Sequence, residues 1–157
     1  MTRSLGDIFD VNSIKLNIKA ETKKQAFAEL VDTIMISHPE CDRDKLLIAI
    51  LDQEDKMNTR FANAVAIPHA EYSGISNMTG AIGVSKQGID YMSLDDKPIH
   101  ILFLLVISKQ ARENHLFILN QLVKLAQSKE IELMKNAKNP EEIHAILTRV
   151  HLYQKGE

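Results

Sequence analysis

The chain has one cysteine, no tryptophan, six glycines and four prolines in 157 residues. A single thiol, Cys41, excludes an internal disulfide and fits a reducing compartment. So little glycine and proline excludes collagen-like and low-complexity chains. Neither charge sign dominates: 19 Lys and Arg face 21 Asp and Glu, a formal net charge of −2 with no basic cluster. A nucleic-acid partner is therefore not expected. The longest apolar run, residues 101–107, falls far short of the ~20 residues that span a bilayer. Asp7 and Asp10 break any apolar run near the N-terminus, so no signal peptide is read there. Together these absences predict a cytoplasmic protein without direct membrane insertion.

What remains is ordinary globular composition, with 45% hydrophobic and 25% charged residues. The length suits one domain over residues 1–157, able to bury roughly two-thirds of its unfolded surface. Ile14, Leu16 and Ile18 alternate with polar residues and predict a half-buried strand. Thr22 and Gln25 form a capping-box pattern ahead of a helix with Phe27, Leu30, Val31 and Ile34 on one face, ending before Pro39. Asp42 or Asp44 caps a second helix carrying Leu46, Leu47, Ile50 and Leu51. Residues 52–63 are polar and aperiodic and read as a loop into a strand at 65–67. A covered strand follows at 79–84, then a turn signal at Gln87-Gly88 and a loop around Asp95-Asp96. Residues 99–107 are short, branched and almost continuously apolar, the pattern of a central strand. A helix over about 112–127 has Leu116, Leu119, Leu122, Val123 and Ala126 as its apolar face. Asn139-Pro140-Glu141-Glu142 opens the last helix with a cap, a proline at the first position and acids in the first turn. The expected fold is a single α/β domain: a mixed sheet of about five strands with helices packed on both faces.

The chemistry centres on two histidines. His69 follows the apolar run Val65-Ala66-Ile67 and Pro68, whose ring fixes φ and removes a backbone donor, so the imidazole sits on stiff backbone where a strand ends. His115 lies in the first turn or so of the helix after the central strand. If the strands leading to them run the same way in one sheet, both rings reach the same edge. A helix N-terminus there suits an anion, phosphate in particular, and disfavours protonation of a nearby imidazole. Read singly, each is also explained as a strand-end surface residue or a helix boundary residue.

Other groups carry less. His38 precedes Pro39 at a helix end, and His100 lies within the central strand. His144 and His151 are two helical turns apart, too far to share a metal without a ligand between them. No metal site is expected. Cys41 has no activating neighbour, and the methionines are scattered gap-fillers.

Ala66-Ile67-Pro68-His69, followed by Glu113-Asn114-His115-Leu116, resembles the enzyme IIA component of the fructose/mannitol class of the bacterial phosphoenolpyruvate-dependent phosphotransferase system, including its nitrogen-regulatory branch. The resemblance runs from Leu5-Gly6-Asp7-Ile8 to the final helix. It implies that His69 accepts a phosphoryl group from an HPr-type phosphocarrier and passes it to a IIB component, or signals to regulatory target proteins by its phosphorylation state. It implies that His115 steadies the phosphoryl oxygens. No cofactor is implied, because a phosphoramidate already holds the group at high transfer potential.

The sequence departs from the family where an Arg-Glu pair is usual: Gln53-Glu54 stands there, sixteen residues before His69. Thr59-Arg60-Phe61-Ala62 replaces a glycine-rich loop, and Ala64 stands where glycine is common. Gln53, Thr59 and Arg60 are the phosphate-binding candidates, with Arg60 offered as the replacement guanidinium or as a solvated loop residue. Phe61, Ala62, Ala70 and Tyr72 are candidates for an apolar docking rim, or for core. Three functions follow in order: a phosphoryl carrier, with the nitrogen-regulatory type favoured over sugar transport, a binding module without chemistry, and a histidine-dependent hydrolase or metal enzyme.

Overall fold

The computed structural model describes residues 4–61, 64–92, 97–109 and 112–155, the side chains of 112–114 and 151–155 excepted. In chain order the elements are α1 (Leu5–Ile8), a 3-10 turn (Val11–Ser13), β1 (Ile14–Lys15), α2 (Lys23–Ser37) and α3 (Arg43–Lys56). Then come β2 (Arg60–Phe61), β3 (Val65–Ala66), β4 (His69–Glu71), β5 (Thr79–Ile89) and β6 (Ile99–Ile107). The helices α4 (Arg112–Ala126), α5 (Glu130–Lys135) and α6 (Pro140–Lys155) complete the order.

Six strands make one mixed sheet in the order β1-β5-β6-β3-β2, with β4 also on β6. The apolar β6 is its centre: it runs antiparallel to β5 and parallel to β3 and β4. From Ile101 onward its side chains alternate between two cores, as a period of two requires. Ile101, Phe103, Leu105 and Ile107 join the layer with α1, α4, α5 and α6, and Leu102, Leu104 and Val106 join the layer with α2 and α3. Helices thus cover both faces.

Several local readings change. The strand expected across Ile14, Leu16 and Ile18 stops at Lys15, and Asn17 takes φ +61°. That left-handed residue carries the alternation across the sheet, so Ile14 joins one core and Ile18 the other. Gln87-Gly88 is no turn: β5 runs through it to Ile89, with Gly88 at φ +92° and a register shift between Val84 and Ile89. This is a bulge, and a Cβ on Gly88 would stand 2.6 Å from the Pro98 Cβ. The polar stretch expected as loop from 52 is helical through Lys56, and Arg60–Phe61 pair with β3. Leu116, placed on an apolar face, is exposed, whereas Ile118 and Leu122 are buried. The Thr22–Gln25 capping box and the Asp42 cap are formed. Asn139 Oδ1 accepts the Glu142 N–H at 3.0 Å, as its place before Pro140 suggested. The Asp95-Asp96 loop and Ala62 lie outside the described residues.

Candidate active site

Pro68 breaks the strand beside β6 into two. β3 and β4 hold a common register on β6, each residue facing the one 36 positions later (Val65 on Ile101, His69 on Leu105). Between them the Ile67 N–H turns away to the Thr59 carbonyl at 3.0 Å, and Pro68 has no N–H to offer. The Pro68 carbonyl still accepts the Leu105 N–H at 2.9 Å, which keeps the chain on the sheet. His69 therefore begins a second short strand rather than ending the first.

The imidazole is fixed by its own backbone. His69 Nδ1 lies 3.0 Å from the Ile67 carbonyl oxygen. A carbonyl only accepts, so Nδ1 carries the proton and donates, leaving the lone pair on Nε2. In this tautomer Nε2 is the nucleophilic atom.

β4 and β6 run parallel, and both end where a cleft of about 320 Å³ opens. Its described lining includes His69, Ala70, Glu71 and Ile107 from the strands and His115 from α4. The two histidines thus meet at one site although 46 residues separate them. His115 is the fourth residue of α4, in the turn where backbone N–H groups lack helical partners and the helix dipole is positive. The fourth wall is α3, which contributes Ala49, Asp52, Gln53 and Lys56. These recur at intervals of three and four, one face of a helix.

Of the phosphate-binding candidates, Gln53 lines this cleft, and the described lining includes neither Thr59 nor Arg60. Arg60 stands half-buried on β2, opposite Ala66. Thr59 is committed elsewhere: its N–H and hydroxyl donate to Glu54 at 3.0 and 2.7 Å, and its Oγ1 is 2.9 Å from the Tyr91 hydroxyl. Lys23 adds an ion pair to Glu54 at 3.2 Å and sits 4.1 Å over the Tyr91 ring. Burial first, then the Glu54 charge, pushes the Tyr91 hydroxyl pKa well above its usual value. Buried Glu54 therefore anchors the turn that holds Thr59, whose carbonyl in turn holds Ile67.

Of the rim candidates, Ala70 is buried, and Phe61 and Tyr72 pack against the two cores. Exposed apolar residues follow the cleft lining along the chain at Leu116 and Phe117 after His115 and at Met57 after Lys56, and Ile48 precedes Ala49. His100 Nδ1 bonds the Ser85 carbonyl at 2.7 Å and His144 Nε2 the Gly6 carbonyl at 2.9 Å, so both are structural ties. His38 is the C-cap residue of α2 and pairs with Glu40. Burial raises the Cys41 thiol pKa, with the Glu40 charge adding to it. Among the described residues no three His, Cys, Asp or Glu side chains are grouped to hold a metal, and no helix is long and apolar enough to cross a membrane. Sequence reasoning missed Lys56, Asp52 and Glu71. The 49, 52, 53, 56 spacing would have shown the α3 residues had the helix been extended past 51.

Comparison with known proteins bears on this arrangement. The family model for the phosphoenolpyruvate-dependent sugar phosphotransferase system, EIIA 2, matches residues 7–150. The chain is 34% identical over 125 residues to the fructose-specific EIIABC component of Bacillus subtilis, covering 80% of this chain and 20% of that protein. It is 29% identical over 151 residues to the fructose-specific EIIA component of Haloferax volcanii, covering 92% and 98% of the two. The crystal structure of nitrogen regulatory protein IIA-Ntr from Neisseria meningitidis aligns with a TM-score of 0.83 at 26% identity, covering 91% of this chain and 98% of that one. A family match that takes in the whole sheet and both cleft histidines makes the chain a member of the EIIA 2 family of the phosphoenolpyruvate-dependent sugar phosphotransferase system.

Proposed function

We propose that the chain is a phosphoryl carrier that is loaded on His69 by a phosphohistidine of an HPr-type phosphocarrier. It then delivers the group to a IIB component or signals to regulatory targets by its phosphorylation state. The observation that carries this reading is the shared cleft of His69 and His115, with Nδ1 of His69 held by the Ile67 carbonyl. The Nε2 lone pair forms the new P–N bond as the bond to the donor's ring nitrogen breaks, and that nitrogen keeps the electron pair. His69 needs no base, because the attacking nitrogen carries no proton. The three equatorial oxygens of a loose transition state need alignment and charge stabilisation rather than covalent help. His115 and the amide-rich first turn of α4 supply donors for them. Fructose-specific and nitrogen-regulatory proteins both stand among the relatives, and this transfer chemistry is what the two readings share.

Incubation with phosphoenolpyruvate and the general carrier proteins tests it. Acid-labile, alkali-stable phosphate is expected on the wild type and not on His69→Ala. His115→Ala is expected to accept phosphate yet transfer it poorly. Label surviving in His69→Ala overturns the site assignment, and an unlabelled wild type favours a binding module.

A further inference from the structure

Resting on the phosphoryl-carrier reading, we propose that Lys56 is the cation that grips the phosphoryl group at His69. A phosphoryl group brings up to two negative charges to a cleft that already has Asp52 and Glu71 in its wall. Gln53 is neutral, and the lone-pair nitrogen of His69 offers no positive charge to the arriving group. Lys56 is the one lysine or arginine in the described lining.

Its setting fits that task. Lys56 is the last residue of α3, on the same face as Ala49, Asp52 and Gln53, so its stem leaves the helix along the cleft wall. It is exposed, and among the described residues it makes no ion pair, whereas Lys15 holds Glu29 at 3.1 Å and Lys23 holds Glu54 at 3.2 Å. A lysine with a mobile stem and three donors can follow the group as it moves from donor to acceptor. Arg60, the cation that the sequence nominated, stands on β2 and outside the described lining. The alternative role for Lys56 is structural, a favourable charge at a helix C-terminus. That role moves stability and leaves transfer rates alone.

The test measures phosphorylation rate against carrier concentration for the wild type, Lys56→Gln, Lys56→Arg and the double variant Lys56→Gln/Gln53→Arg. Lys56→Gln is expected to lower the maximal rate about 10- to 100-fold, the loss of one charge-assisted hydrogen bond in the transition state, with KM for the carrier changed little. Lys56→Arg should keep most of the rate, and Gln53→Arg should recover part of it by placing a guanidinium one helical turn away on the same wall. A Lys56→Gln protein labelled as fast as the labelled wild type overturns the proposal and leaves the carrier reading standing. A loss confined to KM also overturns it, because the lysine would then touch the carrier and not the phosphoryl group. A wild type that no carrier labels overturns both.

Discussion

Replacing Glu54 by alanine removes one acceptor from three donors at once: the Thr59 N–H, the Thr59 hydroxyl and the Lys23 ammonium. The three losses are unequal. Lys23 keeps 21% side-chain exposure, so it turns to water and its loss costs about 1 kcal/mol or less. The Thr59 hydroxyl retains Tyr91, but the Thr59 N–H loses its carboxylate. Hydrogen bonds to a charged group contribute about 1.5–3 kcal/mol each, so Glu54→Ala should cost roughly 3–5 kcal/mol. Glu54→Gln is gentler. Its amide oxygen can keep the Thr59 N–H, and its NH2 can donate to Thr59 Oγ1 once that hydroxyl turns its proton to Tyr91. The charge assistance and the Tyr91 hydroxyl's donation to Thr59 are lost, about 2–3 kcal/mol. Urea unfolding at neutral pH reads both values, and for a chain of this size each kcal/mol moves Tm by about 2–4 °C. A cost below about 1 kcal/mol for Glu54→Ala, or equal costs for the two variants, would refute the view that this carboxylate is the anchor of the turn.

Three further outcomes follow from the same geometry. Tyr91 has a raised folded-state pKa, so its contribution is full below the unfolded value near 10 and is lost as pH rises further. Stability should fall by up to about 1.4 kcal/mol per pH unit above 10 from this group alone. Tyr91→Phe, about 1 kcal/mol weaker at pH 7 for its lost bond to Thr59, should overtake the wild type near pH 11 in denaturation series; parallel curves would contradict this. Gly88→Ala forces a side chain onto φ +92° and against Pro98, at about 1–3 kcal/mol in urea titration, and a neutral effect would mean the bulge is not held there. In long-range 1H–15N spectra the neutral His69 ring should show its proton on Nδ1 and a bare Nε2; the opposite tautomer would remove the Ile67 hydrogen bond from the account.

The sheet was readable wherever burial is uniform or capping is local. Residues 99–107 are apolar save for His100 because both faces of β6 are covered, and Thr22, Asp42 and Asn139 announce helix starts through bonds spanning three residues. Misreadings came where a distant partner decides a local state. Glu54 is a charged residue in a polar stretch, and it lies buried in a helix because Lys23 and Thr59 close around it. Gln87-Gly88 has turn composition, yet pairing of Ile89 with Ile99 draws it into β5 as a bulge. The short α1 and α5 carry too few residues for a periodic signal.

Chain order alone specified the helix caps, the central strand and a histidine behind a proline, because each depends on neighbours within a few positions. Which nitrogen of that ring is bare, which helix walls the cleft opposite it, and that Lys56 and not Arg60 stands there were settled by folding. Those facts depend on the common register of β3 and β4 on β6 and on the packing of α3 against β4, contacts that join residues far apart along the chain.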